Sequence, residues 1–287
     1  MALALAILSS LCFGIALVTG RVGLRTLDAR SGAAISIPTA TLLFITAAPF
    51  AFDLLQFDVR AVLLFAIVGL FFPAVVTLLT FRSNEILGPT TTGVISSTAP
   101  LFALIGAALL LGERVPGEAA LSALGVVAGI ALISWRREEG ARSRFVGWAL
   151  FWPLAGALVR GLAQVGAKAG LLIWASPYAA SLIGYVVSSA AVVSADRLRP
   201  ERPRPTKRAL LWFAATGVLN GAAVLLMYAA LSGAPVWMVA PVVAAYPLVT
   251  AIMSAAVLRE ETLSIQTVSG AALTVAAIAY LVASAAV

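Results

Sequence analysis

Ten long apolar stretches with very little chain between them constrain this protein more than any other feature of its sequence. A membrane-spanning helix needs about 20 mostly apolar residues. With 62% hydrophobic and 11% charged residues, the chain lacks the polar surface that a soluble globule of 287 residues requires. Period-two alternation is absent and open sheet edges cannot face lipid, so we predict an all-α integral membrane protein with ten transmembrane helices. The predicted helices lie near residues 2–20, 32–52, 61–81, 89–111, 119–135, 146–171, 174–194, 209–231, 236–258 and 265–287.

The two halves of the chain match in outline, without gaps, at a spacing of 147 positions. This register aligns Pro100 with Pro247 and Glu113 with Glu260, and these shared residues indicate a duplication more strongly than the apolar composition does. The first stretch lacks a charged n-region and has a counterpart in the second half, so we expect a retained span and not a signal peptide. The predicted units are a first five-helix repeat at 1–138, a linker at 139–145 and a second five-helix repeat at 146–287.

Positive charge is concentrated in the odd-numbered connections between the predicted helices. Of the 19 Lys and Arg residues, 15 lie in these connections, whereas the even-numbered connections hold only Arg60 and Arg114. The positive-inside rule therefore predicts that the odd connections, including the linker, are cytoplasmic and that both termini are periplasmic at a bacterial inner membrane. The net charge of +7 thus reflects topology, and we expect no nucleic-acid partner. The 15 residues are Arg21, Arg25, Arg30, Arg82, Arg136, Arg137, Arg142, Arg144, Arg197, Arg199, Arg202, Arg204, Lys207, Arg208 and Arg259.

Several kinds of chemistry lack their usual residues. The chain contains no histidine, and its single cysteine, Cys12, lies inside the first predicted span. All twelve acidic residues belong to connections or helix ends, and no glycine-rich phosphate loop is present. We therefore expect no metal site, no cofactor, no ATP hydrolysis and no enzymatic activity.

Arg160 is the strongest candidate for a residue that lines a solute path. It follows position 146 by 14 residues, which is about 21 Å along a helix and too deep to reach the surface easily. Gln164 and Lys168 follow at steps of four, so all three lie on one helix face. In an alternative interpretation, Lys168 extends to the headgroups while Arg160 caps a carbonyl that a kinked neighbour has freed.

Prolines inside the predicted spans indicate where helices are interrupted. Pro100 and Pro247 are equivalent in the two halves and lie near mid-span, as expected around a central binding site, although kinked helices also occur without one. Ser97 and Thr98 precede Pro100, and Tyr246 precedes Pro247. The predicted breaks or gating points are Pro73, Pro100, Pro153, Pro241 and Pro247.

Further predictions concern residues near these breaks. Asn220 lies mid-span at the position that matches Pro73, so we predict that it contacts the substrate together with Ser97 and Thr98. Trp152 and Tyr246 are the deepest aromatic candidates for stacking on a solute. The equivalent Glu113 and Glu260 follow proline-containing spans, where a carboxylate can accept hydrogen bonds from the amides that open the next helix. They are therefore predicted to be structural, with gating as the alternative.

The segments TAPLFALIGAALLLGERVPGEAALSALGVVAGIALIS and AAYPLVTAIMSAAVLREETLSIQTVSGAALTVAAIAYLV resemble the paired modules of the drug/metabolite transporter superfamily, specifically the EamA-type ten-helix permeases. The specific elements are the mid-helix prolines, the Leu-x-Glu turns at Glu113 and Glu260, and a small, Gly-containing fifth and tenth helix. The second copy reads Glu260-Glu261 where the first has Glu113-Arg114, and Phe13-Gly14 replaces a Trp-Gly pair that is common in the family.

The resemblance implies two inverted five-helix repeats around a central cavity that opens alternately to each side. It also implies substrates drawn from amino acids, other small metabolites and drugs. Members of the family are often described with both termini in the cytoplasm, which is opposite to the orientation that the Lys and Arg count predicts.

A buried Arg160 repels cations and favours a carboxylate or a zwitterion. We therefore predict a secondary transporter of amino acids, especially aromatic or large apolar ones, that works by export or facilitated exchange without ATP or proton coupling. Arg160 and Gln164 would contact the polar end of the solute, and Trp152 or Tyr246 its side chain. The alternatives are an exchanger of anions, phosphorylated metabolites or nucleotide sugars, a membrane-embedded enzyme, and a channel. The expected partners are the lipid bilayer and a small-molecule substrate, and the protein is expected to be a monomer or a weak dimer.

Overall fold

The computed structural model describes residues 1–51, 57–134, 147–200, 203–258 and 265–284, and these residues form helices and short connections without any strand. The first half contains α1 (Ala2–Leu24), α2 (Ala29–Ala51), α3 (Val59–Gly69), α4 (Val76–Ser96), α5 (Ala99–Leu110) and α6 (Gly117–Ser134). The second half contains α7 (Phe151–Ile173), α8 (Pro177–Arg197), α9 (Lys207–Gly233), α10 (Val236–Val243), α11 (Tyr246–Met253) and α12 (Ile265–Ser284). The all-helical prediction is confirmed.

These twelve helices form ten spans. The third span consists of α3 and the first part of α4, and the fourth and ninth spans are each interrupted near the middle. A π-helical segment, Leu70–Val75, joins α3 to α4. Gly88, inside α4, has a φ of 80° and a ψ of 170°, which is a backbone conformation that favours glycine. The third span therefore ends before Gly88, and the fourth consists of the end of α4 together with α5. Likewise, α10 and α11 together form the ninth span, so the predicted count of ten is confirmed.

The helix boundaries repeat along the chain at the spacing of the sequence repeat. Adding 147 to the first residue numbers of α1, α2, α3 and α6 gives 149, 176, 206 and 264, whereas α7, α8, α9 and α12 begin at 151, 177, 207 and 265. The interruptions agree more closely, because α5 begins at Ala99 and α11 begins at Tyr246. The broken helix of each half thus restarts at the same register.

The two halves pack as intertwined repeats. Helix α1 packs against α9, α10 and α11, and its counterpart α7 packs against α3, α4 and α5. Helices α2 and α8, which are equivalent, contact each other, as do α6 and α12. These contacts between the halves are paired, as an approximate two-fold axis requires. Because five spans carry the chain from one face of the membrane to the other, the second repeat begins on the opposite side and is inverted.

The outside of the bundle suits lipid. Large apolar side chains such as Leu42, Leu109 and Leu211 are exposed there, and the interior contacts use many alanines and glycines, which let membrane helices approach closely. We call the end with the odd-numbered connections the basic face, and the end with the even-numbered connections the opposite face. The described members of the basic face include Arg25, Arg30, Arg197, Arg199 and Arg208.

Two of the sequence predictions fall largely on residues that lie outside the described part of the chain. The predicted linker at 139–145 lies between Ser134 and Gly147, so the division into units at 1–138 and 146–287 stays a prediction. Glu260, the predicted structural counterpart of Glu113, also lies outside the described residues.

Candidate functional site

Two equivalent glycines bring α1 and α7 close to the interrupted helices. A Cβ atom on Gly14 would lie 2.7 Å from the carbonyl oxygen of Tyr246, the first residue of α11. A Cβ atom on Gly161 would lie 2.6 Å from the carbonyl oxygen of Ala99, the first residue of α5. Both helices therefore need glycine at this register. The preceding residues, Phe13 and Arg160, are held as a result at the centre of the bundle.

Arg160 is the tenth residue of the 23-residue helix α7, and 8% of it is exposed. Its Cζ atom lies 5.1 Å from the ring centroid of Phe13, 5.7 Å from that of Phe72 and 5.5 Å from that of Tyr246. The guanidinium is thus held against three aromatic rings by cation–π attraction.

Part of the hydrogen-bonding capacity of Arg160 is unused in the described part of the chain. Its Nε atom is buried without a hydrogen-bond partner, and neither an ion pair nor a carbonyl contact of Arg160 is found in the described part of the chain. The alternative in which Arg160 caps a freed carbonyl therefore has no support in these residues. Arg160 is therefore a buried cation without a counter-ion among the described residues, an arrangement that costs several kcal/mol in a membrane.

Two small adjoining cavities lie beside Arg160. The residues that line both are Phe13, Thr80, Phe81, Arg160 and Asn220. The first cavity is also lined by Phe72, Pro73, Val76, Thr77, Tyr185 and Val224, and the second by Ala16, Leu17 and Tyr246. Both repeats contribute, so the site lies at their interface, where inverted-repeat carriers hold their substrates.

The structure brings some of the predicted site residues together. Arg160, Asn220 and Tyr246 line the cavities, and so does Pro73. Gln164 is one turn further along α7, only 2% exposed, and its Oε1 atom is buried without a partner. It is therefore close to the site with a free acceptor, although it lines neither cavity.

Other predicted site residues lie apart from both cavities. Trp152 contacts Trp148 edge to face at a centroid distance of 5.2 Å, near the basic face. Ser97 and Thr98 form the turn between α4 and α5, where the Thr98 hydroxyl donates to the carbonyl of Ile95 at 2.7 Å. None of the three lines either cavity.

The prolines begin helix segments more often than they bend continuous helices. Pro100 and Pro247 lie in the first turns of α5 and α11, where a missing amide hydrogen costs no helical bond. Pro153 lies in the first turn of α7, after the 3-10 turn Gly147–Leu150, so it does not break a span near its middle. Pro241 is inside the short helix α10, and Pro73 follows the non-helical residue Phe72 at mid-span.

Two charged residues that the sequence placed near helix ends form a structural cluster at the opposite face. The carboxylate of Glu113 accepts from the amide of Val236 at 3.0 and 3.1 Å, which caps the start of α10. The prediction that Glu113 caps a helix is thus right in chemistry, but the helix belongs to the other repeat and does not follow it in sequence. Lys168 Nζ donates to the carbonyls of Leu231 and Ala234 at 2.7 and 3.0 Å, at the end of α9. Lys168 therefore does not extend to the headgroups.

Arg21 repeats this arrangement at the basic face. Its Nη1 atom donates to the carbonyl of Asn84 at 2.8 Å, and both residues are 147 positions before Lys168 and Leu231. We call Arg21 and Lys168 the clamp cations, because each bonds the carbonyls that end the third span of its own repeat. Since both are used in this way, Arg160 is the lone cation of the described residues that faces the cavities.

Sequence reasoning missed several residues that line the cavities, namely Phe13, Phe72, Phe81, Thr77, Thr80 and Tyr185. One of them, Phe13, could have been found from the sequence. Phe13 aligns with Arg160 in the register of the repeat, so an axis between the halves already places the two residues opposite each other. The others differ little from the remaining aromatic and threonine residues of the spans, and only the packing of the helices distinguishes them.

The comparisons with known proteins agree with this architecture. The model of the EamA-like transporter family matches residues 1–135 and again residues 147–283, which confirms the resemblance drawn from the sequence. A solved crystal structure matches with a TM-score of 0.79 and 17% identity, over 97% of this chain and 95% of the other, so the likeness concerns the fold alone. No curated protein sequence matches this chain significantly.

Proposed function

We propose that this chain, which belongs to the EamA-like transporter family, is a secondary transporter that moves amino acids and related carboxylates across the membrane by alternating access. Transport of small solutes across a membrane is the activity that the family suggests. The finer proposal rests on Arg160, a buried guanidinium beside two cavities between the repeats that has no counter-ion in the described part of the chain. A carboxylate is the group that such a guanidinium binds best, because two parallel charge-assisted hydrogen bonds form at once.

The walls of the site favour a large apolar or aromatic side chain. Phe13, Phe72 and Tyr246 surround the guanidinium, and Phe81 lines both cavities. These rings supply apolar surface next to the anion site, and aromatic pairs add about 0.5 to 1.5 kcal/mol beyond the area they bury. A positively charged solute would be repelled by Arg160.

Alternating access is supported by the interrupted helices. The fourth and ninth spans break at equivalent positions on either side of the site, and α1 and α7 contact the restarted segments through Gly14 and Gly161. Movement of one repeat against the other would change these contacts in a paired way. The chain has no histidine and no phosphate loop. Facilitated exchange and export down a gradient need neither of these groups, so both modes are compatible with the sequence.

A dianionic phosphate ester fits the site less well than a carboxylate does. Such a ligand would require a second buried cation, but Arg21 and Lys168 are bound to backbone carbonyls at the two ends of the bundle. Arg160, the one cation among the described residues that line the cavities, matches one negative charge. The exchange of phosphorylated metabolites is therefore not the function that this geometry supports best.

Counterflow in proteoliposomes tests the proposal. With Arg160→Leu, we expect uptake of radiolabelled amino acid to fall by roughly 100-fold, because about two charge-assisted hydrogen bonds to the carboxylate are lost. The thermal stability of the variant should be unchanged or higher, since an unpaired buried charge is removed. The control is Arg82→Leu, because Arg82 is exposed and pairs with Glu85. Normal amino-acid transport by Arg160→Leu would refute the role of this residue.

We also propose that the protein lies in a bacterial inner membrane with the basic face in the cytoplasm and both termini in the periplasm. The concentration of Arg and Lys on that face supports this orientation. Reporters fused to the C-terminus test it, since a periplasmic terminus activates alkaline phosphatase and not a fluorescent protein that matures only in the cytoplasm. The reverse pattern would overturn the orientation and leave the transport proposal intact.

A further inference from the structure

We infer that the site recognises the carboxylate and the apolar body of its solute but not an α-ammonium group, so its substrates include hydrophobic monocarboxylates. This inference rests on the proposed function and specifies which groups of the solute the site recognises. Unsubstituted, 2-hydroxy and 2-oxo acids would then bind at least as well as the amino acid with the same side chain.

The charge balance of the site favours a monocarboxylate over a zwitterion. Among the described residues that line the two cavities, Arg160 carries the single formal charge. A bound monocarboxylate makes the site neutral, whereas a bound zwitterion leaves it with a net charge of one in the middle of a membrane. Charge that remains uncompensated in such surroundings opposes binding.

The described acidic residues do not offer a partner for an ammonium group in the cavities. Asp28 pairs with Arg199, Glu85 pairs with Arg82, and Glu113 caps α10. Three further acids of the described chain, Asp58, Glu118 and Asp196, lie at helix ends away from the cavities. None of these six carboxylates lines either cavity.

Aromatic faces are the other common partners of a buried ammonium group. Phe13, Phe72 and Tyr246 already hold the guanidinium within 5.1 to 5.7 Å. The α-ammonium of an amino acid is attached to the carbon next to its carboxylate. When the carboxylate contacts Arg160, the ammonium must therefore lie near a like charge whose partners are already occupied, in a medium of low dielectric.

The remaining polar groups of the site suit a neutral substituent. Thr77, Thr80 and Asn220 line the cavities, and the hydroxyl of the buried Tyr185 has no hydrogen-bond partner. A single hydroxyl or keto oxygen can be satisfied by one such group, whereas an ammonium presents three donors and a charge. The unpartnered Tyr185 hydroxyl is consistent with a 2-hydroxy or 2-oxo group.

The test uses four probes that share one aromatic body: phenylalanine, 3-phenylpropanoate, 3-phenyllactate and 2-phenylethylamine. Their affinities are measured by thermal shift and by competition in counterflow on the full chain. We expect 3-phenylpropanoate and 3-phenyllactate to bind as tightly as phenylalanine or up to about tenfold more tightly. Loss of binding in Arg160→Leu separates the site from partition of the acids into detergent or lipid.

The outcomes distinguish the two proposals. If 3-phenylpropanoate binds more than about threefold more weakly than phenylalanine, the site recognises the ammonium group. This inference then fails, while the proposal of amino-acid transport stands. If 2-phenylethylamine binds and the carboxylates do not, both proposals fail.

A designed variant gives a second, independent readout. Thr80 lines both cavities with Arg160, so Thr80→Asp places a carboxylate in the site, and Thr80→Asn is the uncharged control of matched size. We expect Thr80→Asp to shift the affinity ratio of phenylalanine to 3-phenylpropanoate by at least about tenfold toward the zwitterion. An unchanged ratio in a folded Thr80→Asp protein would contradict the charge argument.

Discussion

The two repeats keep the same residue types where they hold the bundle together and differ where they meet the cavities. Gly14 and Gly161 are equivalent and make the same close approach to a restarted helix. The clamp cations, Arg21 and Lys168, are also equivalent and bond equivalent carbonyls. By contrast, Arg160 aligns with Phe13, and the two residues contact each other across the axis.

This difference shows that a symmetric scaffold can carry an asymmetric site. Two arginines at this register would place like charges a few ångströms apart in a low-dielectric centre. Two phenylalanines would leave the lining of the cavities without a charged group for an anionic solute. One of each gives a single cation with an aromatic wall. Tyr246 and Asn220 extend the asymmetry, because their counterparts in the first repeat are Ala99 and Pro73.

Substitution of Gly14 and Gly161 should give the largest effect among the tests of whether the two repeats are equivalent. In Gly14→Ala and Gly161→Ala, the new methyl group overlaps the carbonyl oxygen of Tyr246 or of Ala99, so the interrupted helix must move away. Overpacking of this kind costs about 3 kcal/mol, more than the gain of about 1 kcal/mol in helix propensity. We expect both variants to unfold at lower temperature and to lose transport to a similar degree, measured by fluorescence-detected thermal unfolding and counterflow.

The control for the glycine pair is Gly117→Ala, because a Cβ atom at Gly117 meets no atom within 4 Å. This variant should keep its stability and its transport. If only one of Gly14→Ala and Gly161→Ala lowered the unfolding temperature and transport, the two contacts would be equivalent in geometry but not in their contribution to stability.

The clamp cations provide a test of intermediate size. Lys168→Met removes the donor to the carbonyls of Leu231 and Ala234, and Arg21→Met removes the donor to the carbonyl of Asn84. Methionine keeps an apolar stem of similar length, so the loss is chiefly that of charge-assisted hydrogen bonds, about 2 kcal/mol in each variant. Thermal unfolding should show similar decreases, with substrate affinity unchanged. A change in affinity without a change in stability would place a clamp cation in the binding site.

Most of the fold could be predicted from the sequence, because lipid forces backbone groups into helices and makes apolar length decisive. The repeat also located the interrupted spans through Pro100 and Pro247. The break at Gly88 within α4 was placed approximately, since a Gly-Pro pair is compatible with either a kink or a connection. Glu113 was assigned to the wrong helix because its partner, the amide of Val236, is far away in sequence.

The site was only partly predictable. Arg160 was found because a charge at mid-span is costly and therefore conspicuous in an apolar chain. Trp152 was proposed for its size and its depth along the helix, but its ring packs on Trp148, four residues earlier in the chain, and it lines neither cavity. Thr77 and Thr80 line the cavity although their sequence surroundings resemble those of other threonines, so their role depends on the angle at which the helices cross.

The smallest test concerns an ion pair that one face has and the other lacks. Asp28 lies between α1 and α2 and accepts from the amide of Ser31 at 3.0 Å and from Arg199 at 3.1 Å. The positions related to Asp28 and Arg199 by the repeat hold Ala175 and Phe52, so the opposite face has no equivalent pair. Burial alone would raise the pKa of Asp28, but the hydrogen bond from Ser31 and the interaction with Arg199 together hold it below its ordinary value.

A lowered pKa in the folded state means that the ionised carboxylate stabilises the protein. This stabilisation is complete at pH values above the unfolded pKa of about 3.9, and it is lost as the pH falls through the lower folded pKa. Because the side chains of Asp28 and Arg199 are 33% and 23% exposed, water screens the pair and we expect Asp28→Asn to cost only about 0.5 to 1 kcal/mol at pH 7. The difference from the unmodified protein should shrink on acidification below about pH 4. Thermal unfolding at both pH values measures it, with Glu118→Gln, at an exposed carboxylate, as the control. A deficit that persisted at low pH would mean that Asp28 contributes through packing, and the asymmetry between the two faces would then not be electrostatic.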